Sequence, residues 1–395
     1  MEFETDCNDY NYYLSYSDNT EIKDMLVFDS KNFNYNDFFE KCMVVNAPCI
    51  IKSITNQWEA SDLWVKEGKP DFDYLSRKYG PSNVTIYNCK ERYYNSQKTR
   101  DSTFDEYLNY WKNIQVEDGA KSVEYLKDWH MKLHHKNDSF YNVPIYFASD
   151  WLNEYYSECL DDDYRFVYMG PKGTWTPFHA DVFASYSWSA NVCGKKRWIF
   201  FPPGEENFLR DTLGNLPYDV TEVNHNRKFF DVEQNPGEAI FVPSGWHHQV
   251  WNLEDTISIN HNWVNACNIK VMWNSMKHNL ELICKEIEDC KEMDDFEEHC
   301  QIMLNASFGM NFYKFYDFIR YIAEMRIEML EGKKSRVLFH GHTIGQNHIL
   351  VDLRAVKDVL EILANCEAVN CLSYFKNDVD VTELLDKLVH ILDNK

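Results

Sequence analysis

Short apolar runs broken by proline and glycine fill the middle of the chain. From Arg165 to Val264 they read RFVYM, GPKG, WTPFHADVF, RWIFF, PPGEE, PGEAIFVPSG, HHQVWNL and TISINHNWV. Runs of β-branched and aromatic residues this short, bounded by turn residues, predict many antiparallel strands closed into a barrel or jelly roll. After Asn268 the apolar period lengthens. NIKVMWNSMKHNLELICKEIEDC, FYKFYDFIRYIAEMRIEML and VTELLDKLVHIL carry apolar residues at helical spacing. Such stripes must be buried, either on the outside of the barrel or against a second copy. Ahead of the barrel the periods mix. PCIIKSI (Pro48–Ile54) predicts a strand and STFDEYLNYWKN (Ser102–Asn113) a helix. Ser102 and Asp105 form an expected capping box there, with Asp in place of the usual Glu. The first residues are polar and rich in Asn, Asp and Tyr. The pattern divides the chain into a loose N-terminus over 1–20, an α/β region over 21–140, a barrel core over 141–266 and a helical region over 267–395. No internal repeat is evident.

Composition narrows the classes. Of 395 residues, 44% are hydrophobic and 16% aromatic, enough for a large packed core. The formal net charge of -23 disfavours nucleic-acid phosphates and suits a basic protein partner. No two of the twelve cysteines have C-x-x-C spacing, so they read as reduced thiols rather than zinc fingers or disulfide staples. The N-terminus is acidic without an apolar signal core, and no apolar run reaches membrane-spanning length. The expectation is a soluble cytoplasmic or nuclear protein with no membrane or direct nucleic-acid partner.

The candidate chemistry sits in the barrel. In TPFHADVF, His179 and Asp181 are two apart, so on a strand both face the same side. A buried carboxylate needs a cation or a metal. The turn FVPSGW precedes His247 and His248, which point to opposite faces, so one of them can join. Two histidines and a carboxylate are the facial triad of non-haem Fe(II) oxygenases, although zinc accepts the same donors. Lys195, Lys196 and Arg197 directly precede the RWIFF strand, and one cation turned inward would need an anion. His134, His135, His340, His342 and His348 lie in polar, loop-like contexts and read as solvated.

Taken together, TPFHADVF, NVCGKKRWIFFPPGEE and PGEAIFVPSGWHHQVWNLEDTISINHNWV resemble the jumonji-C (JmjC) 2-oxoglutarate oxygenases. EGKPDFDYLSRKYG, YLKDWH, SDWLNEYY, NLPYDVT and FYKFYDFIRYIAEMR extend the likeness over roughly Glu21 to Arg326. The resemblance implies a mixed α/β fold around a double-stranded β-helix, the cupin-like jelly roll. It implies Fe(II) held by His179, Asp181 and His248, with 2-oxoglutarate and O2 as cosubstrates and succinate and CO2 as products. It implies that Lys196 pairs with the far carboxylate of 2-oxoglutarate, helped by Thr176 and Tyr125, and that Asn260 lines the same pocket. Ser189 stands where many relatives have Asn, with Asn191 as its alternative. The likeness is strongest to the branch that hydroxylates lysine at C4 in the eukaryotic translation termination factor. N-methyl-lysine demethylation and a non-catalytic jelly-roll scaffold are the competing readings. A lysine substrate calls for an acidic or aromatic lining. Asp128, Asp150 and Glu154 are candidates, each more simply read as a solvated surface carboxylate.

Overall fold

Eight strands between Arg165 and Trp263 switch between two sheets, except that Lys196–Phe201 and Phe230–Gln234 follow each other in the same one. Trp175–His179, His247–Asn252, Lys196–Phe201 and Phe230–Gln234 form the smaller sheet, in that spatial order. Arg165–Gly170, Tyr186–Cys193, Ala239–Val242 and Thr256–Trp263 belong to the larger one. This alternation is the double-stranded β-helix, and the barrel pairings within each sheet are antiparallel. The computed structural model describes residues 2–4, 24–94, 96–114, 123–377 and 379–394.

The larger sheet continues past the barrel on both sides. Cys49–Lys52 and Leu26–Asp29 extend one edge, and Glu124–Trp129, Asn83–Tyr93 and Ser96–Thr103 extend the other. The expected strand over Pro48–Ile54 is therefore present, trimmed to its four central residues. The helix runs from Phe104 to Asn113, and its capping box is Thr103 with Glu106 rather than Ser102 with Asp105. Ser102 lies one residue before the cap, and its hydroxyl donates instead to the Glu106 carboxylate at 3.0 Å.

The strand alternation is inverted relative to an ordinary barrel. In Thr256–Trp263, Asn260 and Asn262 line an interior cavity, with Ser258 two residues before them. Ile257, Ile259 and Trp263, on the other face, belong to the main hydrophobic core. Tyr186–Cys193 repeats this, with Ser187 and Ser189 inside and Trp188, Ala190 and Val192 outside. The apolar outer face has to be covered, and the flanking regions cover it. Phe147 stacks on Trp188 with centroids 5.0 Å apart. The helices Ile269–Glu286, Phe312–Leu330 and Gln346–Ala364 contribute to the same continuous core. The C-terminal stripes are thus buried within the chain, in a core continuous with the barrel's outer face. A second, smaller apolar cluster of Trp198, Phe200, Phe230, Ile240, Val242 and Trp246 fills one end of the barrel.

Several polar residues expected at the surface are interior instead. Asp150 and Glu154 are 2% and 5% exposed. Glu154 accepts two hydrogen bonds from the fully buried Arg326, at 2.9 and 2.8 Å, and Arg326 Nε also donates to Asp352 at 2.7 Å. A buried pair of this kind joins the helix Phe312–Leu330 to the helix Trp151–Tyr155, and breaking it would leave an uncompensated charge. His348 is also buried, 2.6 Å from Tyr35 Oη and 3.3 Å from Asp352. His340 reaches Asp150 at 3.0 Å and His342 reaches the Val143 carbonyl at 2.8 Å. His135 bonds Ser82, and only His134 of this group is solvated. Polarity of neighbouring residues misled here, because the partners lie in distant segments. Glu2–Phe3 pairs in parallel with Thr343–Ile344, so the chain's start is partly tied down; residues 5–20 of the expected loose N-terminus lie outside the described residues.

Candidate active site

His179 and His248 sit directly opposite each other on neighbouring antiparallel strands. Their ring centroids are 4.3 Å apart. The strand Trp175–His179 ends at the first histidine. Asp181 follows in extended conformation (φ -66, ψ 149) and caps a short turn over Val182–Ala184. Extended backbone carries the two-residue alternation past the end of the strand, so Asp181 still faces the same side as His179. The next residues, Phe183 and Ala184, have φ of 59° and 50°, a left-handed conformation that costs energy in non-glycine residues. Packing holds that turn. Phe183 lies against Tyr164 and Phe308, and a Cβ on Gly309 would come within 3.1 Å of its ring.

One donor atom each from His179, Asp181 and His248 lies within 4.8 Å of the others. Both imidazoles are already oriented. His179 Nδ1 is 2.8 Å from the Pro177 carbonyl and His248 Nδ1 is 3.0 Å from the Trp246 carbonyl. An N–H donated to a carbonyl fixes the tautomer and leaves Nε2 with its lone pair for a metal. Ser187 Oγ donates to Asp181 Oδ2 at 2.7 Å, which steadies the carboxylate. Burial pushes His179 down to about 4, with the neighbouring His248 adding to the effect, and burial also lowers His248. Neutral imidazoles beside a carboxylate are the form a divalent ion requires. His247 is on the other face, with its ring 5.5 Å from Phe178 and Nδ1 3.9 Å from Glu206.

The cavity that these three residues enter is also lined by Tyr125, Thr176, Ser189, Lys196 and Asn260. Every residue expected in the site therefore reaches one space. Of the three consecutive cations, Lys195 pairs with Glu233 at 3.2 Å and Arg197 with Asp231 at 2.6 Å on the surface. Lys196 alone turns in. It is 1% exposed and its Nζ donates to Ser258 Oγ at 2.7 Å. No carboxylate pairs with it among the described residues, and burial lowers its pKa to about 7. An ammonium left this way is a standing demand for an anion. Ser189 donates to Asn260 Oδ1 at 3.0 Å. Asn191, the alternative to Ser189, is spent on the carbonyls of Gly194 and Gln234 and does not line the cavity. Among the described residues none beyond Asn262 lines it.

Several contributors were not anticipated, Asn262, Trp198 and Val250 of the cavity wall among them. Tyr168 and Ser187 line the cavity, and Ser258 holds Lys196. Ser258 and Ser187 are two residues from Asn260 and Ser189, so the strand period alone would have found them. Gly170 acts from behind: a Cβ there would fall 2.5 Å from the Tyr125 ring, so only glycine lets Tyr125 occupy its place.

Comparison with known proteins agrees with this geometry. The Cupin-like domain family matches residues 35–269. The 2-oxoglutarate and iron-dependent oxygenase JMJD4 of Gallus gallus is 44% identical over 360 residues, covering 85% of this chain and 84% of its own length. Its Mus musculus counterpart is 48% identical over 318 residues, 76% and 74% of the two chains. The arginine-specific demethylase JMJ20 of Arabidopsis thaliana is 42% identical over 317 residues, 74% and 68% of the two. With a two-histidine, one-carboxylate group and an unpaired lysine sharing one barrel cavity, the chain belongs to the cupin-like JmjC family of iron- and 2-oxoglutarate-dependent oxygenases, in the group of jumonji domain-containing protein 4.

Proposed function

We propose that this dioxygenase hydroxylates C4 of a lysyl side chain in a protein substrate, the eukaryotic translation termination factor, in the cytoplasm. One observation carries the choice of lysine. Asp128 is half-buried, and it accepts a hydrogen bond at 2.5 Å from Tyr168, a wall of the cavity. It sits at a break in the register between Leu126 and Trp129, with φ of 56°. Bulges of this kind re-aim a side chain beside a site. Among the described residues no lysine, arginine or histidine lies within ion-pair distance of it. An aromatic wall with an unpaired carboxylate suits an ammonium group. Asp150 and Glu154 are committed elsewhere, which leaves Asp128. The chain's net charge of -23 favours a basic partner in the same sense.

In this reading His179, Asp181 and His248 would hold the iron through two imidazoles and a carboxylate. Iron, when bound, supplies the coupled oxidation in which 2-oxoglutarate and O2 become succinate and CO2 while one oxygen atom enters a substrate C–H bond. The protein orients and excludes. Lys196 meets the far carboxylate of 2-oxoglutarate with a charge-assisted hydrogen bond. Thr176 and Tyr125 offer hydroxyls to the same group, and Asn260 with Ser189 shapes the wall beside it. Trp198 and Val250 give the cavity an apolar stretch of wall.

The test is mass spectrometry of the termination factor after incubation with the full chain, Fe(II) and 2-oxoglutarate. A lysine gaining the mass of one oxygen atom, dependent on Asp128, is the expected result. Demethylation of methylated arginine or lysine peptides, with the termination factor unchanged, would replace this reading with the demethylase one.

A further inference from the structure

A second group of metal-binding side chains lies across the sheet from the cavity. Asn260 turns inward; His261, the next residue of the same strand, turns outward and stacks on Trp188 with centroids 4.3 Å apart. Asp150 and His340 converge on it. His340 Nε2 is 3.0 Å and His261 Nδ1 3.9 Å from Asp150 Oδ2. One donor atom from each of the three lies within 4.8 Å of the others. We propose that Asp150, His261 and His340 form a zinc site that fastens the C-terminal segment to the outer face of the barrel.

Three observations support it. First, His261 Nδ1 is buried and has no hydrogen-bond partner, while Nε2 is 2.7 Å from Tyr141 Oη. A metal ligand whose other ring nitrogen is fixed by a second group has this arrangement. Second, Asp150 is 2% exposed, and no lysine or arginine among the described residues pairs with it. Arg165 is nearby in charge but is spent on Asp163 at 2.8 Å. The buried carboxylate faces imidazoles and no ammonium or guanidinium group among the described residues, and a divalent ion would supply a full counter-charge. Third, the carboxylate is already held. Asn153 donates its backbone N–H to Asp150 Oδ1 at 2.9 Å and its side-chain amide to Oδ2 at 2.7 Å.

Two imidazoles and a carboxylate without sulfur match zinc's nitrogen and oxygen donors. A cleft lined by Tyr141, Arg165, Phe339 and His340 reaches the cluster and offers an entry path. The three ligands come from the cap of the helix Trp151–Tyr155, from a barrel strand, and from the loop between the helices Phe312–Leu330 and Gln346–Ala364. An ion there would cross-link segments far apart in sequence.

The test uses the full chain with His179→Ala and Asp181→Ala together, which removes the first cluster. After chelator treatment and zinc reloading, gel filtration and elemental analysis should find one zinc ion per chain. Zinc should also raise its unfolding midpoint. Adding His340→Ala should abolish both effects. His340→Gln, which retains a hydrogen-bond donor toward Asp150, should abolish them equally, with circular dichroism checking the fold. Failure of the double variant to retain zinc, or retention unchanged by either His340 substitution, would overturn the proposal.

Discussion

Asn260 and His261 are neighbours in one strand, and the two faces they serve leave opposite charges unbalanced. On the inner face the group around His179, Asp181 and His248 shares its cavity with Lys196, an ammonium with no carboxylate partner. On the outer face the group around His261 and His340 encloses Asp150, a carboxylate with no ammonium or guanidinium partner. The residue types at the centres are the same, two histidines and an aspartate. The surroundings differ, and the uncompensated charge indicates what each face lacks. The inner face needs an anion in addition to a metal, as an oxygenase with an acidic cosubstrate requires. The outer face needs only a cation. Buried charge is expensive enough that the missing partner can be read from its sign.

The largest effect should come from breaking the inner group. His179→Ala, Asp181→Ala and His248→Ala should each abolish succinate formation while circular dichroism shows the fold retained. His247→Ala should be much milder, because its ring packs on Phe178 on the other face. Comparable loss of turnover at His247 and His248 would mean that the strand faces are misassigned.

Lys196→Ala should come next. Removing one partner of a desolvated charge pair costs on the order of 2–5 kcal/mol, or roughly a thirtyfold to several-thousandfold loss of 2-oxoglutarate affinity. Lys195→Ala should be near neutral, since its pair with Glu233 is at the surface. Calorimetric titration of 2-oxoglutarate into the metal-loaded proteins separates the two. The wild type adds a pH signature. Burial lowers the Lys196 pKa to about 7, and a bound dianion raises it. Binding above pH 7 therefore takes up a proton. Affinity should fall as pH rises, approaching about tenfold per pH unit, and Lys196→Ala should flatten that slope. A slope unchanged in Lys196→Ala would place the titrating group elsewhere.

The inner face was largely legible in the sequence and the outer face was not, for a physical reason. His179 and Asp181 are two apart, His248 opens a strand after a Pro-Gly turn, and Lys196 opens another. Strand period and turn chemistry are local, so local reading places these residues, and the family resemblance added Thr176 and Tyr125. Asp150, His261 and His340 come from three segments joined only by tertiary packing. His340 sits in HGH among polar residues, and nothing local reveals that its side chain is 5% exposed. Glu154 misled in the same way, because its partner Arg326 is 172 residues away. The capping box slipped by one because the preceding strand runs on through Thr103, a boundary decided by pairing with Asn83–Tyr93 rather than by composition.

The smallest expected effect tests whether the two faces are independent. Tyr141 Oη is 2.7 Å from His261 Nε2, and Tyr141 lines the outer cleft rather than the inner cavity. Tyr141→Phe removes the hydroxyl and keeps the ring that packs on Trp58 and Phe140. It leaves a buried imidazole nitrogen unpaired, which costs about 1–3 kcal/mol. Urea denaturation should therefore show a lower midpoint with an unchanged slope. The 2-oxoglutarate affinity of the same variant should equal that of the wild type, because Asn260 and Ser189 keep their hydrogen bond on the opposite side of the sheet. A loss of cosubstrate affinity that tracks the loss of stability would show that the strand transmits changes from one face to the other, and the two groups would then have to be treated as one coupled unit.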